Sequence, residues 1–137
     1  MIWGTQYDQV MNWLIKSGEK TPLDINKGSV SWGNYMDNEF EYYTNTSKTT
    51  ATKNLGSQTI IASGAYEGAK ANNIYDLAGN VWLWTLEALS SGSGSGRNYR
   101  GGSYNDVGTL NYASIRNYNY PYYRSYFFGF DGKLYIK

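Results

Sequence analysis

The sequence predicts an α+β domain with one clear N-terminal helix, a few short antiparallel strands and long loops. A 3.6-residue apolar period is confined to the first twenty residues, and short apolar or aromatic runs separated by Gly, Asn and Ser follow it. The length of 137 residues is that of one domain, and no internal repeat is visible. We therefore expect residues 1–137 to form a single domain.

The helix is predicted over Thr5–Ser17 because one side of that segment is apolar. Tyr7, Val10, Met11 and Leu14 fall at positions i, i+3, i+4 and i+7, which is the stripe that an amphipathic helix buries. No other segment of the chain shows so clear a helical stripe.

The residues around this stripe predict how the helix begins and ends. Thr5 and Asp8 have the spacing of a capping box, in which each side chain accepts a hydrogen bond from the other residue's backbone N–H. Gly18 follows the stripe at the position where a left-handed residue commonly ends a helix.

Three short strands are predicted further along the chain. Gln58–Ala62 is a short apolar run, and Val81–Leu86 is apolar at both alternating sets of positions, which is typical of a buried strand. Phe127–Ile136 reads as an aromatic closing strand interrupted by two glycines. The polar run Thr44–Lys53 predicts an exposed loop, and the Ser/Gly run Ser90–Gly96 predicts a flexible one.

The charge and hydropathy of the chain argue against a nucleic-acid partner and against a membrane span. The net charge is only +1, from 12 basic and 11 acidic residues, and this leaves no electrostatic footprint for a phosphate backbone. No apolar run approaches the length of about 18 residues that a membrane span requires. We therefore expect neither a nucleic-acid partner nor a membrane span.

The chain contains no Cys and no His. Histidine is the commonest general base and metal ligand, and the cysteine thiolate is a common nucleophile and zinc ligand. The number of enzyme mechanisms open to the chain is therefore small. Aromatic residues make up 18% of the sequence, and we expect the five Trp to supply much of the core.

Three segments in a fixed order carry a resemblance to a known family. They are Asn73–Thr85 (NIYDLAGNVWLWT), Arg100–Tyr104 (RGGSY) and the Gly-Phe pair that begins at Gly129, shortly before Leu-Tyr-Ile. Together they resemble the formylglycine-generating enzyme/sulfatase-modifying family, whose signature runs Gly-Asn-Val-Trp-Glu-Trp, Arg-Gly-Gly-Ser and Gly-Phe-Arg. The resemblance implies a C-type-lectin-like fold. The N-terminal Met1-Ile2-Trp3-Gly4 and the helix after it also resemble the bacterial and phage members of the family. Because the family domain usually begins well upstream of such a helix, the resemblance also implies an N-terminally short version of the domain.

Departures from the family pattern imply a domain that is not an enzyme and binds no cofactor. Enzymatic family members use copper held by two cysteines, and this chain has none. Family members often bind calcium at the Gly-Asn-Val-Trp-Glu-Trp turn. Asp76 matches the upstream ligand of that site, but Leu83 replaces the Glu. Because calcium takes six to eight oxygen ligands, losing one carboxylate weakens the site, and we expect no metal.

The segment Asn98–Tyr126 has an unusual composition. Its 29 residues include eight Tyr, five Asn and three Ser, with no Lys and no Glu. Antibody binding loops have the same bias, because Tyr supplies rigid contact area while Asn and Ser supply adaptable hydrogen bonds. The bias also resembles that of the variable proteins of diversity-generating retroelements, whose adenine-directed mutagenesis converts Asn codons into Tyr, Ser and similar residues. A Tyr-rich core is the alternative reading.

We therefore predict a ligand-binding surface for a protein or a surface glycan. A calcium-assisted lectin, a cysteine-free enzyme of the family and a purely structural or engineered scaffold are the rival hypotheses. The sequence leaves the compartment and the oligomeric state open. The predicted contact residues are Tyr104, Asn105, Asn111, Tyr112, Asn117, Tyr118, Asn119, Tyr122, Tyr123, Arg124 and Tyr126.

Overall fold

The computed structural model of the chain describes residues 1–88 and 96–130. Helix α1 spans Gly4–Lys16 and helix α2 spans Pro22–Asn26. Two short 3₁₀ turns follow, at Ser29–Trp32 and Glu67–Ala69. None of the helices in these two ranges is both long and apolar enough to cross a membrane.

The strands of the described residues form two sheets. The small sheet is the antiparallel pair β1–β2, and the large sheet has the order β5-β4-β3-β6. In the large sheet β3, β4 and β5 are antiparallel neighbours, whereas β6 runs parallel to β3. The strands are β1 Phe40–Tyr43, β2 Thr50–Lys53, β3 Trp82–Ala88, β4 Arg97–Arg100, β5 Arg116–Asn119 and β6 Phe128–Gly129.

The structure confirms the predicted helix, but the helix begins differently from the prediction. Its N-cap is Trp3, whose backbone N–H donates to Gln6 Oε1 at 2.9 Å. The capping box expected between Thr5 and Asp8 is therefore wrong. The carboxylate of Asp8 instead pairs with arginines of the large sheet. At the other end Gly18 takes the left-handed conformation, with φ +75°, as predicted.

The small sheet was not predicted from the sequence. Thr50–Lys53 lies inside the predicted polar loop but forms β2, which pairs with β1. The strand predicted over Gln58–Ala62 does not form. Ile61 is buried there against Phe40, while its backbone N–H and C=O bond to the Asn80 side chain at 3.2 and 3.1 Å. An amide side chain thus satisfies the backbone groups that a strand partner would otherwise satisfy.

The main core lies between α1 and the large sheet. Tyr7, Met11 and Leu14 of the helical stripe are all buried in it, and Leu83 of β3 packs in the same cluster. The predicted buried strand Val81–Leu86 corresponds closely to β3.

The five Trp do not all lie in the core as expected. Trp32 and Trp82 are buried and Trp84 is half-buried. Trp3 and Trp13 are 57% and 46% exposed, because they lie at the start of α1 and beside its buried stripe.

Two predicted segments fall largely outside the described residues. Of the Ser/Gly run, residues 90–95 are not described, and of the closing strand, residues 131–136 are not described. The described part of the closing strand contains β6, which pairs with β3 in parallel rather than in the antiparallel arrangement expected of the strands.

Candidate ligand-binding surface

Aromatic side chains cover one face of the large sheet. Trp84 stacks on Phe128 with ring centroids 4.9 Å apart, and Tyr99 meets these two rings edge-on at 5.4 and 4.8 Å. Trp82 meets Tyr99 at 4.7 Å, and Tyr123 meets Phe128 at 5.7 Å. We call these five residues the aromatic layer. Such pairs stabilise a fold by about 0.5–1.5 kcal/mol each beyond the area that they bury, so the layer anchors Tyr123, a predicted contact residue.

The aromatic layer also affects the ionisation of one of its members. Desolvation raises the pKa of the Tyr99 hydroxyl, and the negative charge of Asp106 raises it further. Tyr99 therefore stays neutral at physiological pH and contributes as an aromatic ring and hydrogen-bonding group.

Strand β5 divides its predicted contact residues between two faces of the sheet. Asn117 lies opposite Tyr99 in the register, and side chains directly opposite each other share a face. Asn119, two residues on, lies on the same face, whereas Tyr118 lies on the other face together with Arg116. The three neighbours therefore do not form one continuous patch.

The loop between β5 and β6 presents most of the predicted aromatic contacts to solvent. Tyr122 is 76% exposed, Tyr126 is 89% exposed and Tyr123 is 49% exposed. Arg124, in the same loop, is also exposed. Large aromatic side chains are usually at least partly buried, so a run of exposed ones is an unusual feature of a protein surface.

The prediction missed Tyr120, which belongs to the same loop. Its ring stacks on Tyr122 with centroids 5.3 Å apart and planes 10° from parallel. Tyr120 is 42% exposed. Its place within the Tyr-rich run was the signal that could have identified it.

The four remaining aromatic and amide residues of the prediction lie in the loop between β4 and β5. Tyr104, Asn105, Asn111 and Tyr112 are all half-buried. Tyr104 approaches the β5–β6 loop, since its ring lies 5.6 Å from that of Phe127. Within the described ranges, no side-chain hydrogen bond or ring contact joins the other three to that loop. None of the eleven predicted residues is buried.

A pocket opens at the end of the aromatic layer, beside the β5–β6 loop. It has a volume of about 290 Å³. Most of its wall is apolar, and its one charged side chain is that of Arg97. The lining residues are Met1, Trp84, Thr85, Leu86, Arg97 and Pro121.

An ion-pair network lies on the opposite face of the sheet. The Asp8 carboxylate of α1 pairs with Arg100 of β4 and with Arg116 of β5, the latter at 2.6 Å, and Arg116 also pairs with Glu87 at 3.2 Å. Arg100 is buried, and its guanidinium lies 4.8 Å from the ring centroid of Tyr7. Desolvation lowers the pKa of Arg100, while the charge of Asp8 raises it in part. The network attaches the start of β5 to the helix.

The two residues that correspond to the family's calcium ligands make other contacts in this structure. Asp76 Oδ2 accepts hydrogen bonds from Ser63 Oγ at 2.6 Å and from the Gly64 N–H at 3.3 Å. Leu83, which stands where the family has Glu, is buried in the main core. Among the described residues, no group of three or more His, Cys, Asp and Glu side chains is arranged to hold a metal ion.

Comparison with protein families shows the family to which the motifs pointed. The sulfatase-modifying factor enzyme 1-like domain matches residues 17–131 of the chain. The chain belongs to this family. No curated protein matches the chain.

One solved structure similar to this sulfatase-modifying factor enzyme 1-like domain is the crystal structure of CarF. The two are 19% identical, with a TM-score of 0.48. The match covers 73% of this chain and 31% of CarF. The chain therefore spans about a third of the length of that protein.

The family motifs form the scaffold beneath the candidate surface. Asn80, of the Gly-Asn-Val-Trp element, accepts a hydrogen bond from Asn34 Nδ2 at 3.0 Å, and its backbone carbonyl accepts from the Tyr104 N–H at 3.0 Å. In the Arg-Gly-Gly-Ser element, the Gly101 carbonyl accepts from the buried Tyr35 hydroxyl at 2.6 Å. These contacts join Asn34 and Tyr35 to the two motifs, and the contact of Tyr104 holds the start of the β4–β5 loop in place.

Proposed function

We propose that this domain is a non-catalytic binding domain that contacts a protein or a surface glycan through its Tyr- and Asn-rich C-terminal loops. The observation that carries the proposal is the exposure of four tyrosines between residues 120 and 126. Tyr120, Tyr122, Tyr123 and Tyr126 have exposed fractions from 42% to 89%. A soluble domain gains no folding free energy from exposed aromatic area, whereas a binding surface uses it for contact.

The underlying scaffold supports this proposal. The exposed tyrosines follow directly on the aromatic layer, so a rigid base lies beneath a loop of adaptable composition. Binding through a preorganised base costs less conformational entropy than binding through a free loop. We further propose that the fold is C-type-lectin-like and that the segment Asn98–Phe128 is diversified in the manner of retroelement variable proteins.

The proposal that the domain is not an enzyme rests on its side-chain chemistry. The chain has no Cys for the copper site of the enzymatic family members and no His for general base catalysis. The exposed loop presents phenol, hydroxyl and guanidinium groups, which suit recognition more than proton transfer at neutral pH.

The diversified character is tested by sequencing this locus from many copies of its natural source. We expect differences concentrated between Asn98 and Phe128, at codons whose template contains adenine. Differences spread evenly along the chain would contradict the retroelement type and would leave a domain of fixed specificity.

The contact surface is tested with the triple variant Tyr122→Ala/Arg124→Ala/Tyr126→Ala, which leaves the aromatic layer intact. Binding to glycan arrays and to surface proteins of candidate partner cells should be lost, while the melting temperature stays near that of the unsubstituted chain because these side chains bury little area. A large fall in melting temperature would assign the tyrosines to the core instead.

A matched control removes exposed apolar side chains elsewhere. Leu23, Leu55 and Ile60 are 66%, 66% and 55% exposed and lie outside the proposed contact segment. The triple variant Leu23→Ala/Leu55→Ala/Ile60→Ala should keep full binding. If a calcium chelator abolishes binding by the unsubstituted chain and by the control variant, the calcium-assisted lectin is favoured instead.

A further inference from the structure

The two edges of the large sheet are closed in different ways. Along β3, the Trp82 N–H donates to the Phe127 carbonyl at 2.7 Å and the Leu86 N–H donates to the Ile2 carbonyl at 2.9 Å, so other backbone segments cover that side. At the opposite edge, no strand of the two described ranges pairs with the outer side of β5. An unpaired strand edge is a template for another extended chain.

Hydrogen bonding in β4 shows which groups of β5 point away from the sheet. Thr85 Oγ1 donates to the Asn98 carbonyl at 2.9 Å, so that carbonyl faces β3. Asn98 lies opposite Tyr118 in the register. Because residues of an antiparallel pair alternate between hydrogen-bonded and non-hydrogen-bonded pairs, Asn98 and Tyr118 form a non-hydrogen-bonded pair. The N–H of Tyr118, and by the same alternation that of Tyr120, points outward.

Each of these outward N–H groups is occupied by the side chain of the preceding residue. The Tyr118 N–H donates to Asn117 Oδ1 at 3.0 Å, and the Tyr120 N–H donates to Asn119 Oδ1 at 2.8 Å. The Tyr120 carbonyl in turn accepts from the Tyr123 N–H at 2.9 Å. We propose that Asn117 and Asn119 close the outer edge of β5, and that this edge, once uncapped, pairs with β5 of a second copy of this chain.

A second copy suits the uncapped edge because of the charges and side chains along it. Antiparallel pairing of two β5 strands about Tyr118 places the two Tyr118 residues opposite each other, in a favourable aromatic cross-strand pair. The same register places Arg116, the one charged residue of β5, opposite Tyr120 of the other copy and away from its own equivalent. Such an interface is self-complementary and closes as a dimer.

This inference is independent of the proposed function, since it rests on the backbone hydrogen bonds of β4 and β5. It gives Asn117 and Asn119 a backbone role in addition to any ligand contact. Replacing either residue with one that lacks a short-range acceptor frees one outward donor, so sequence change at these two positions alters self-association as well as binding.

The test is the double variant Asn117→Ala/Asn119→Ala, measured by light scattering coupled to size-exclusion chromatography over a range of concentrations. We expect its mass to double, relative to the unsubstituted chain, as the concentration rises. The control is Asn105→Ala/Asn111→Ala, which removes the same two amide groups from the β4–β5 loop and leaves the edge intact. The control should keep the mass of the unsubstituted chain.

A third substitution identifies the interface. Adding Tyr118→Pro to the double variant removes an outward N–H without removing a hydrogen bond to β4, as proline does on edge strands, and should restore the original mass. A dimer that persists in this triple variant would overturn the proposal. So would an unchanged mass in the double variant when its circular dichroism spectrum and melting temperature match those of the unsubstituted chain.

A measurement on the unsubstituted chain covers the case in which the double variant fails to fold. Hydrogen exchange should show the amide protons of Tyr118 and Tyr120 protected, because the asparagine side chains hold them. Exchange of both protons at the rate of an unstructured peptide would overturn the proposal.

Discussion

At the scale of single residues, two glycines with similar backbone conformations have very different surroundings. Gly102 of the Arg-Gly-Gly-Ser element has φ +79°, and a Cβ there would lie 2.3 Å from the Asn111 carbonyl oxygen and 2.6 Å from the Tyr35 ring. Gly56 has φ +83° with nothing within 4 Å of the same position. The two sites therefore separate the cost of the left-handed conformation from the cost of a steric clash.

The substitutions Gly56→Ala and Gly102→Ala should differ in their effect on stability. Gly56→Ala should cost about 1–2 kcal/mol, since only the left-handed conformation is penalised. Gly102→Ala adds a clash with backbone and should cost about 3 kcal/mol or more. Urea unfolding of both variants measures the difference. Equal losses would show that the β4–β5 loop yields to the added methyl group.

At the scale of elements, α1 and the large sheet are joined by the ion-pair network around Asp8. Arg100 is buried, so its charge depends on Asp8 for compensation, whereas Arg116 and Glu87 are more exposed. The helix that the sequence predicts most clearly thus supplies the carboxylate that attaches β4 and β5. The exposed β5–β6 loop is therefore connected to α1 through β5, whose first residue, Arg116, pairs with Asp8.

Neutralising Asp8 should destabilise the domain more than neutralising Glu87. Asp8→Asn leaves the buried Arg100 charge uncompensated and should cost about 3 kcal/mol, the lower end of the usual range because Asp8 is itself partly exposed. Glu87→Gln, the matched control, breaks a pair whose cation, Arg116, is exposed to solvent, and it should cost less than about 1 kcal/mol. Thermal and urea unfolding test the pair of variants. A similar cost for both would contradict the role assigned to Asp8.

At the scale of the whole molecule, one buried lysine connects the small sheet to the main core. Lys53 of β2 is buried, and its Nζ donates to the carbonyls of Tyr35 at 2.7 Å and Asn38 at 2.9 Å. Desolvation lowers the pKa of Lys53, and the charge of Asp37 offsets part of this effect. Burial also raises the pKa of Tyr35 well above its ordinary value. The junction therefore makes stability depend on pH on the alkaline side.

The free energy of unfolding should rise with pH because of Lys53. As the pH approaches the ordinary lysine pKa of about 10.4, the unfolded chain binds more protons than the folded one at this site, and stability increases. The free energy of unfolding of the unsubstituted chain, minus that of Lys53→Met, should therefore become more positive from pH 8 to pH 10. A constant difference would contradict the prediction. Above pH 10 the raised pKa of Tyr35 acts in the opposite direction, because unfolded tyrosine ionises first.

Part of the fold and part of the candidate surface could be predicted from local patterns. The stripe of α1, the buried strand at Val81–Leu86 and the Tyr- and Asn-rich segment are all properties of neighbouring residues. The strand expected at Gln58–Ala62 failed because the Asn80 side chain, 19 residues along the chain from Ile61, satisfies the backbone there. The strand at Thr50–Lys53 was missed because its polar sequence is stabilised by pairing with β1.

The sequence by itself determined the family, the main helix and the segment that carries the exposed tyrosines, because motif order, apolar period and composition are written in consecutive residues. Only the tertiary structure decided that Asp8 pairs with arginines of the sheet and that Asn117 and Tyr118 lie on opposite faces of β5. It also decided that two asparagines occupy the outward donors of the edge strand. These features depend on which strands become neighbours, and long-range pairing leaves little local signal.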